Sequence, residues 1–167
     1  MRDARSFDEF YRTTAVRTLR YAVAIVGDHS EAQDAVQEAY ARAWRRWDSV
    51  AGHPAPEAWV RLVVGRLARD RWRRLGRLNT LLRHAGPPPP APPPSEDTVV
   101  LIEALRTLPA NYRRVLALHY LCDLSVEAIA TETGASANTV KSWLARGRQR
   151  LAAQFTETDA DLGVHDA

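Results

Sequence analysis

The sequence LSVEAIATETGASANTVKSWL, from Leu124 to Leu144, contains two short amphipathic segments separated by Gly134. Glycine readily adopts the left-handed conformation that ends a helix. Ser125 and Ser136 each precede one of the segments, where serine is a favourable N-cap. Apolar Val140 on the second segment is expected to face the first. Two helices joined by a short glycine-containing turn form a helix-turn-helix, which is the structure we predict here.

The second of these helices has a polar and basic outer side. No acidic residue occurs between Thr133 and Thr156, whereas a surface that serves only solubility usually mixes both signs of charge. Short polar side chains near the start of the helix can reach base edges in the major groove, and later arginines can bind phosphates or a protein partner. The residues of this side are Asn138, Thr139, Lys141, Ser142, Arg146, Arg148 and Arg150. The alternative is an αα-hairpin whose basic face is only solvated.

Prolines divide the chain into two halves. Seven of the ten prolines lie between Gly86 and Ser95, where missing amide donors and a fixed φ prevent helix and sheet. We expect an extended polyproline II spacer there, and the alternative is a ligand for an SH3-type domain. Pro109 separates two further helices in the second half.

The first half shows helical periodicity throughout. Apolar residues recur at helical spacing in segments 19–26, 32–47 and 59–67, and Ser30 with Gln33 forms a possible capping box. The predicted fold class is therefore all-α, with two small helical domains joined by a proline-rich linker. We predict a helical bundle over 1–77, the linker over 78–97, the helix-turn-helix domain over 98–155 and a frayed acidic tail over 156–167.

Positive charge is concentrated in the first half. The first 86 residues contain 16 arginines and 10 acidic residues, and the remainder contains 7 basic and 10 acidic residues. A tryptophan among arginines suits stacking on an unpaired base while the arginines follow the phosphate backbone. One stripe of the helix between residues 61 and 74 is predicted to carry Arg61, Arg69, Trp72 and Arg73, beside Arg66. The alternative is that Trp72 packs onto the bundle and the arginines are solvated.

No motif indicates catalysis, a metal site or a cofactor. The single cysteine, Cys122, excludes an internal disulfide and a cysteine-based zinc site, and the five histidines lack metal-ligand spacing. We expect His119 and Cys122 in the core. The N-terminal residues lack the apolar segment of a signal peptide, and the longest apolar run, Tyr21 to Val26, is too short to cross a bilayer. The expectation is a soluble cytoplasmic protein, not an enzyme, that needs no cofactor.

In this order along the chain, the motifs resemble the bacterial extracytoplasmic-function (ECF, group IV) sigma factors of the sigma-70 family, including the SigE-like actinobacterial branch. The resemblance extends from about Phe7 to Phe155. In the first half it rests on Gly27-Asp28, the segment 32–40, Ala43-Trp44, the segment 59–62 and the segment 68–74. In the second half it rests on Ala104-Leu105, Leu108-Pro109, the segment 113–115, Leu124-Ser125, Ile129-Ala130 and the segments 134–136 and 139–142.

The resemblance implies a sigma factor that binds core RNA polymerase and directs promoter-specific initiation. Contact with the clamp helices of the polymerase β′ subunit is implied for Asp34, Gln37, Glu38 and Arg42. Capture of the melted −10 element is implied for Arg61, Arg66, Arg69, Arg71, Trp72, Arg73 and Arg74. Recognition of the −35 duplex is implied for Ser136, Asn138, Thr139, Lys141, Ser142, Arg146 and Arg148. Further implied partners are the β flap and an anti-sigma factor, for a chain that is monomeric when free.

Two other functions stay open on the residues alone. An ordinary two-domain transcription regulator would bind duplex operator tightly without polymerase, and it would usually carry a ligand or phosphoacceptor domain. A helical adaptor or anti-sigma protein would need no DNA, and the acid-free helix-turn-helix would then have no role.

Overall fold

The structure is a computed structural model that describes the backbone of residues 3–78 and 95–163 and the side chains of residues 3–71, 73–74 and 95–157. Eight α-helices and no strand occur within these residues, which confirms the predicted all-α class. The helices are α1 (Ala4–Val26), α2 (His29–Arg45), α3 (Trp47–Ala51), α4 (Pro56–Leu78), α5 (Glu96–Arg106), α6 (Ala110–Tyr120), α7 (Val126–Thr133) and α8 (Ala137–Gly163). The chain divides between Pro94 and Ser95 into two compact units of four helices each.

In the first unit, α1, α2 and α4 pack against one another, and the short α3 lies between α2 and α4 along the chain. The buried face of α2 is lined largely with small residues, among them Ala32, Ala39 and Ala43, which are fully buried. From α4, Val60 and Val64 are also fully buried. Small side chains on one helix and branched ones on its neighbour allow close packing. These are the apolar stripes that the helical periodicity predicts.

An aromatic cluster joins α1 to the end of α2 and to α3. The ring centroids of Phe7 and Phe10 lie 5.2 and 5.1 Å from that of Trp47, and the Trp47 indole nitrogen donates a hydrogen bond to the Ser6 hydroxyl at 3.2 Å. The periodicity predicts that Trp47 continues α2. In the structure Trp47 instead begins α3, after a break at Arg46. The tryptophan thus anchors the chain where it turns from α2 toward α4.

The connection between α1 and α2 shows both a confirmed and a wrong prediction. Gly27 ends α1 in the left-handed conformation, with φ 79°, as expected of a helix-ending glycine. The start of α2 differs, because the Asp28 carboxylate accepts a hydrogen bond from the Glu31 amide at 2.8 Å. The cap is therefore Asp28, and the predicted capping box of Ser30 and Gln33 lies inside the helix. Asp28 precedes them and its negative charge suits the helix N-terminus.

The second unit contains the predicted helix-turn-helix, formed by α7 and α8. Ser125 Oγ accepts a hydrogen bond from the Ala128 amide at 3.1 Å, and Ser136 Oγ accepts one from the Thr139 amide at 3.1 Å. Gly134 lies between the helices with φ 75°. The caps and the turn are thus those that the sequence predicts.

The core of this unit is centred on α6, against which α7 and α8 pack. Val115 and Leu118 from α6, Ile129 from α7 and Val140 from α8 are fully buried. At Gly147, α8 approaches α6 so closely that an added Cβ would lie 2.9 Å from Leu116 Cδ1. The absence of a side chain at Gly147 therefore allows the two helices to pack this closely.

The helix ends differ from the predicted domain limits. Leu78 belongs to α4 and Glu96 to α5, so helix enters both ends of the predicted 78–97 linker. Residues 79–94, with most of the proline run, lie outside the described residues. The predicted frayed tail is wrong for residues 156–163, because α8 continues to Gly163. No glycine or proline interrupts the chain between Thr156 and Gly163, which accounts for the longer helix.

Candidate nucleic-acid and protein interfaces

The predicted duplex-reading residues lie on the outer side of α8. Asn138, Lys141, Arg146 and Arg148 are exposed, and Ser142 is partly buried. On the opposite side of the helix, buried Val140 and Leu144 attach α8 to the rest of the unit. The outer side is therefore presented by a rigidly packed helix.

Two of the predicted residues already take part in the helix cap. The hydroxyls of Ser136 and Thr139 lie 2.8 Å apart, and Ser136 also accepts the Thr139 amide. The Ser136 hydroxyl can still make one further hydrogen bond and the Thr139 hydroxyl two. Asn138 and Lys141 extend from the first turns of α8 with exposed side chains, which leaves them as the better placed pair for base edges.

Two tyrosines of α6 hold arginines of α8. Arg148 Nη1 donates a hydrogen bond to the Tyr120 hydroxyl at 2.8 Å. The guanidinium carbon of Arg150 lies 5.3 Å from the ring centroid of Tyr112, in a cation–π contact. Neither tyrosine is among the predicted site residues, because helical periodicity does not reveal which residues of another helix lie beside an arginine.

In the first unit, α4 presents an exposed arginine stripe, which we define as Arg66, Arg69 and Arg73. Leu62 precedes these arginines on the same side of the helix, because steps of four, three and four residues separate the four side chains. Leu62 is 43% exposed, and sequence reasoning missed it because it lies within an otherwise apolar run. Of the other predicted residues, Arg74 is exposed and Arg71 partly buried, whereas the Trp72 side chain lies outside the described residues.

Arg61 does not lie on this exposed stripe, which corrects the sequence prediction. Its side chain is 3% exposed, and its Nη1 lies 3.4 Å from Oε2 of Glu57. Glu57 also accepts from Arg17 of α1, at 2.8 Å between Arg17 Nε and Glu57 Oε2 and through a second contact at Oε1. Arg61 falls one helical turn before Val64, on the buried face, where a guanidinium must be paired.

The predicted polymerase-binding residues lie along α2 and include a surface ion pair. Arg42 Nε donates to Glu38 Oε1 at 2.8 Å, and Arg45 Nη1 lies 3.9 Å from the same oxygen. The hydrogen bond from Arg42, together with the charges of Arg42 and Arg45, lowers the pKa of Glu38. Glu38 is therefore ionised at neutral pH, while Gln37 is exposed beside it.

The structure joins the α2 set and the α4 set at one point. Arg71 Nη2 donates to Asp34 Oδ2 at 2.9 Å. The two side chains remain 41% and 56% exposed, so the pair is worth no more than about 1 kcal/mol and can be exchanged for other partners.

Among the described residues, no group of three or more histidine, cysteine or acidic side chains could hold a metal ion. His119 is partly buried with Nδ1 2.8 Å from the Leu124 carbonyl oxygen, and Cys122 is buried. In the same part of the chain, no helix is both long and apolar enough to cross a membrane.

Two family models match the chain: Sigma-70 region 2 over residues 10–78 and Sigma-70, region 4 over residues 98–151. The RNA polymerase sigma-E factor of Streptomyces coelicolor is 32% identical over 163 residues, which cover 96% of this chain and 92% of that protein. The ECF RNA polymerase sigma factor SigL of Mycobacterium tuberculosis is 32% identical over 133 residues, which cover 75% of each chain.

Two solved structures share the fold. The sigma factor RpoE of Bartonella quintana, in complex with the anti-sigma factor NepR, has a TM-score of 0.75 at 23% identity over 92% of this chain and 98% of that one. CnrH, in complex with the cytosolic domain of CnrY, has a TM-score of 0.70 at 22% identity over 93% of this chain and 90% of that one. The two family regions match in the order that the sequence analysis expects, and the second of them contains the helix-turn-helix. Relatives that are RNA polymerase sigma factors match nearly the whole length of the chain. The chain belongs to the ECF sigma factors of the sigma-70 family, which direct RNA polymerase to promoters to initiate transcription.

Proposed function

We propose that the two units bind two different promoter elements, α8 the −35 duplex and α4 the melted −10 strand, while α2 binds core RNA polymerase. The observation that carries the proposal is the outer side of α8, which has no acidic residue before Glu157 and is held outward by buried Val140 and Leu144. A helix of this kind on a helix-turn-helix has the charge and shape that suit the major groove.

On α8, Asn138, Lys141 and Ser142 would contact base edges, because they are close to the helix N-terminus. Arg146 and Arg148, one to two turns later, would bind phosphates. Ser136 and Thr139 would fix the start of the helix and offer their remaining hydrogen bonds to the backbone. With so few phosphate contacts, the affinity of the free chain for duplex should be weak and strongly salt-dependent.

On α4, the exposed arginine stripe would follow the backbone of the unpaired strand, together with Arg71, Trp72 and Arg74 from the same end of the helix. Unpairing a base costs a few kcal/mol, and stacking on an aromatic ring returns about 1–3 kcal/mol, so an AT-rich −10 element is expected. Arg61 would act from inside the bundle by positioning α4 rather than by touching DNA.

On α2, Asp34, Gln37, Glu38 and Arg42 would form the polymerase contact. Asp34 and Glu38 are engaged with arginines of this chain, at 2.9 and 2.8 Å, but on the solvent-exposed surface. Basic groups on the β′ clamp helices could replace those arginines at low cost, because exposed ion pairs contribute little.

The remaining partners follow from the same proposal. The second unit would also contact the β flap, and the linker would pass toward the RNA exit path of the polymerase. Catalysis belongs to the polymerase, so the chain itself acts in the cytoplasm as a binding factor and not as an enzyme. An anti-sigma factor is a further expected partner of the free monomer, since the sigma factor RpoE, which shares this fold, is solved in complex with the anti-sigma factor NepR.

Run-off transcription tests the proposal. Core RNA polymerase with this chain, on a library of promoter sequences, should initiate selectively, and the polymerase without the chain should not. Reversing both Asp34→Lys and Glu38→Lys should abolish initiation. The matched control is Asp8→Lys with Glu9→Lys, which makes the same charge change at exposed positions of α1 and should leave initiation intact.

Two results would contradict the proposal. If the chain gave no initiation on any template yet bound duplex tightly alone, it would act as an ordinary DNA-binding regulator. If the α1 control lost as much activity as the α2 reversal, the effect would come from net charge and not from a polymerase contact on α2.

A further inference from the structure

Tyr120, the last residue of α6, is a solvent-exposed aromatic side chain next to the basic side of α8. It is 54% exposed, and its hydroxyl accepts the hydrogen bond from Arg148 Nη1 at 2.8 Å. An exposed tyrosine needs no partner for its hydroxyl, because water satisfies it. The contact therefore orders two side chains at the surface, at a cost in conformational entropy. A ligand that binds both side chains gains from this order, because it does not have to fix them itself.

The ring of Tyr120 is itself held in place. The His119 ring meets it edge to face with centroids 4.8 Å apart. The Nδ1 atom of His119 lies 2.8 Å from the carbonyl oxygen of Leu124, in the connection that leads to α7. His119 thus orients the Tyr120 ring before any ligand arrives, and the Tyr120 hydroxyl in turn orients Arg148.

The hydrogen-bonding capacity of the pair is only partly used. A tyrosine hydroxyl has one donor and can accept from two, and here one acceptor position is occupied by Arg148. The hydroxyl proton remains to be donated, and the Arg148 guanidinium has four further N–H groups. None of the ion pairs between described residues involves Arg148, so its charge is not neutralised by a carboxylate there.

We propose that Tyr120 and Arg148 together bind one backbone phosphate of duplex DNA, with the tyrosine hydroxyl donating to one phosphate oxygen and the guanidinium to another. This inference rests on the proposed function of α8 and adds a residue of α6 to it. Two adjacent, preoriented donors of which one is cationic suit a phosphate, because charge-assisted hydrogen bonds to an anion are the strong ones. A phosphate contact fixes the register of the helix on the duplex and carries no sequence information.

The neighbouring pair on the same two helices supplies the control. Tyr112 meets Arg150 through the face of its ring, at 5.3 Å, so the contact does not use the Tyr112 hydroxyl. Tyr112→Phe preserves a ring for Arg150, whereas Tyr120→Phe removes the atom that accepts from Arg148. The two substitutions are chemically identical and lie eight residues apart on α6.

The experiment measures the affinity of the full chain for a fluorescent duplex that carries the promoter selected by run-off transcription, over a series of salt concentrations beginning low. Tyr120→Phe should weaken binding about three- to tenfold, and Tyr112→Phe should not change it. Arg148→Gln should lower the dependence of log affinity on log salt by about one, because one cation is lost, while Tyr120→Phe should leave that slope unchanged. The double variant should bind more weakly than Arg148→Gln, by up to the factor that Tyr120→Phe alone costs, because the Tyr120 hydroxyl has its own hydrogen bond to the phosphate.

Three outcomes would overturn the inference. Equal affinities for the two phenylalanine variants would make Tyr120 a surface contact without a role in DNA binding. A loss confined to the promoter duplex and absent from a scrambled one would indicate a base contact instead of a phosphate contact. If the unsubstituted chain neither bound duplex nor initiated transcription, the proposed function would fail first and this inference with it; an active chain with an unaffected Tyr120→Phe variant would refute the inference alone.

Discussion

Glu57 holds two arginines at once, Arg17 of α1 and the buried Arg61 of its own helix. Glu57→Gln would remove the carboxylate that pairs with the buried Arg61 guanidinium, whose side chain is 3% exposed. We expect a loss of about 1–3 kcal/mol in the free energy of unfolding, below the cost for a fully buried pair because Glu57 is 27% exposed. Urea unfolding of the full chain measures it.

The matched control is Glu38→Gln, which removes a carboxylate from an exposed pair with Arg42 in the same unit. It should leave the unfolding free energy nearly unchanged, because exposed ion pairs contribute little to stability. Equal losses of unfolding free energy for the two variants would contradict the prediction, because they would mean that the burial of Arg61 does not decide the effect.

Tyr40 is buried on α2 and shares hydrogen bonds with Thr14 at 2.7 Å and Thr18 at 3.0 Å. Burial raises the pKa of its hydroxyl, and the two threonine bonds oppose that shift only in part. The folded chain therefore keeps this proton at a pH where the unfolded chain releases it, and the corresponding stability, present below pH about 10, is lost as pH rises further.

Tyr40→Phe should lower the unfolding free energy at neutral pH by about 1–2 kcal/mol, since two threonine hydroxyls lose a buried partner. Above pH 10 the difference from the unsubstituted chain should shrink, because only the latter then loses stability through this group. Denaturant unfolding at pH 7 and at pH 11 gives the comparison, and a gap that widens at pH 11 would contradict the assignment.

At the level of helices, replacing each of two interior glycines with alanine should change the free energy of unfolding in opposite directions. A Cβ at Gly65 of α4 meets nothing within 4 Å, so Gly65→Ala should stabilise by about 0.5–1 kcal/mol through helix propensity alone. A Cβ at Gly147 of α8 would lie 2.9 Å from Leu116 Cδ1 and 3.4 Å from Tyr112 Cβ. There the packing cost of about 1–3 kcal/mol should exceed the propensity gain.

Amide hydrogen exchange of the full chain reports each helix separately, with slower exchange expected in α4 for the first variant and faster exchange in α6 and α8 for the second. If both variants slowed exchange, Leu116 would have moved aside without cost, and close approach at Gly147 would not limit the α6–α8 separation.

The same helices indicate how far sequence alone reaches. Helical periodicity and local caps sufficed for α7 and for the start of α8, because Ser125, Gly134 and Ser136 act on neighbours within four residues. Burial of Arg61 could not be predicted that way, since the Glu57 carboxylate that pairs with it is also bound by Arg17 of α1, forty residues before Glu57. The Tyr120–Arg148 contact spans 28 residues and depends on two helices packing side by side. The sequence thus predicts where these helices lie better than it predicts which of their side chains are exposed.

At the scale of the whole molecule, the chain consists of two units whose proposed DNA contacts lie on different helices, α4 in the first and α8 in the second. Substitutions at distant sites with no shared partner usually add in free energy. Lys141→Ala should reduce initiation on a promoter with a −35 element by about five- to thirtyfold, as expected for loss of one base contact. It should have little effect on a template whose −10 region is already unpaired and whose −35 element is scrambled.

Arg66→Ala should behave in the opposite way, because Arg66 lies on the exposed arginine stripe of α4. Its effect should persist when the −35 element is scrambled, and the double variant should lose the product of the two factors on the intact promoter. Run-off yields on three templates (intact, scrambled at −35, and both scrambled at −35 and unpaired at −10) measure all of these effects with one polymerase preparation. If each single variant failed equally on every template, a shared effect on folding or polymerase binding would replace the division of labour between the units. A product of factors with opposite template dependence would mean that both units contact DNA in the same initiation complex and contribute independently to its free energy.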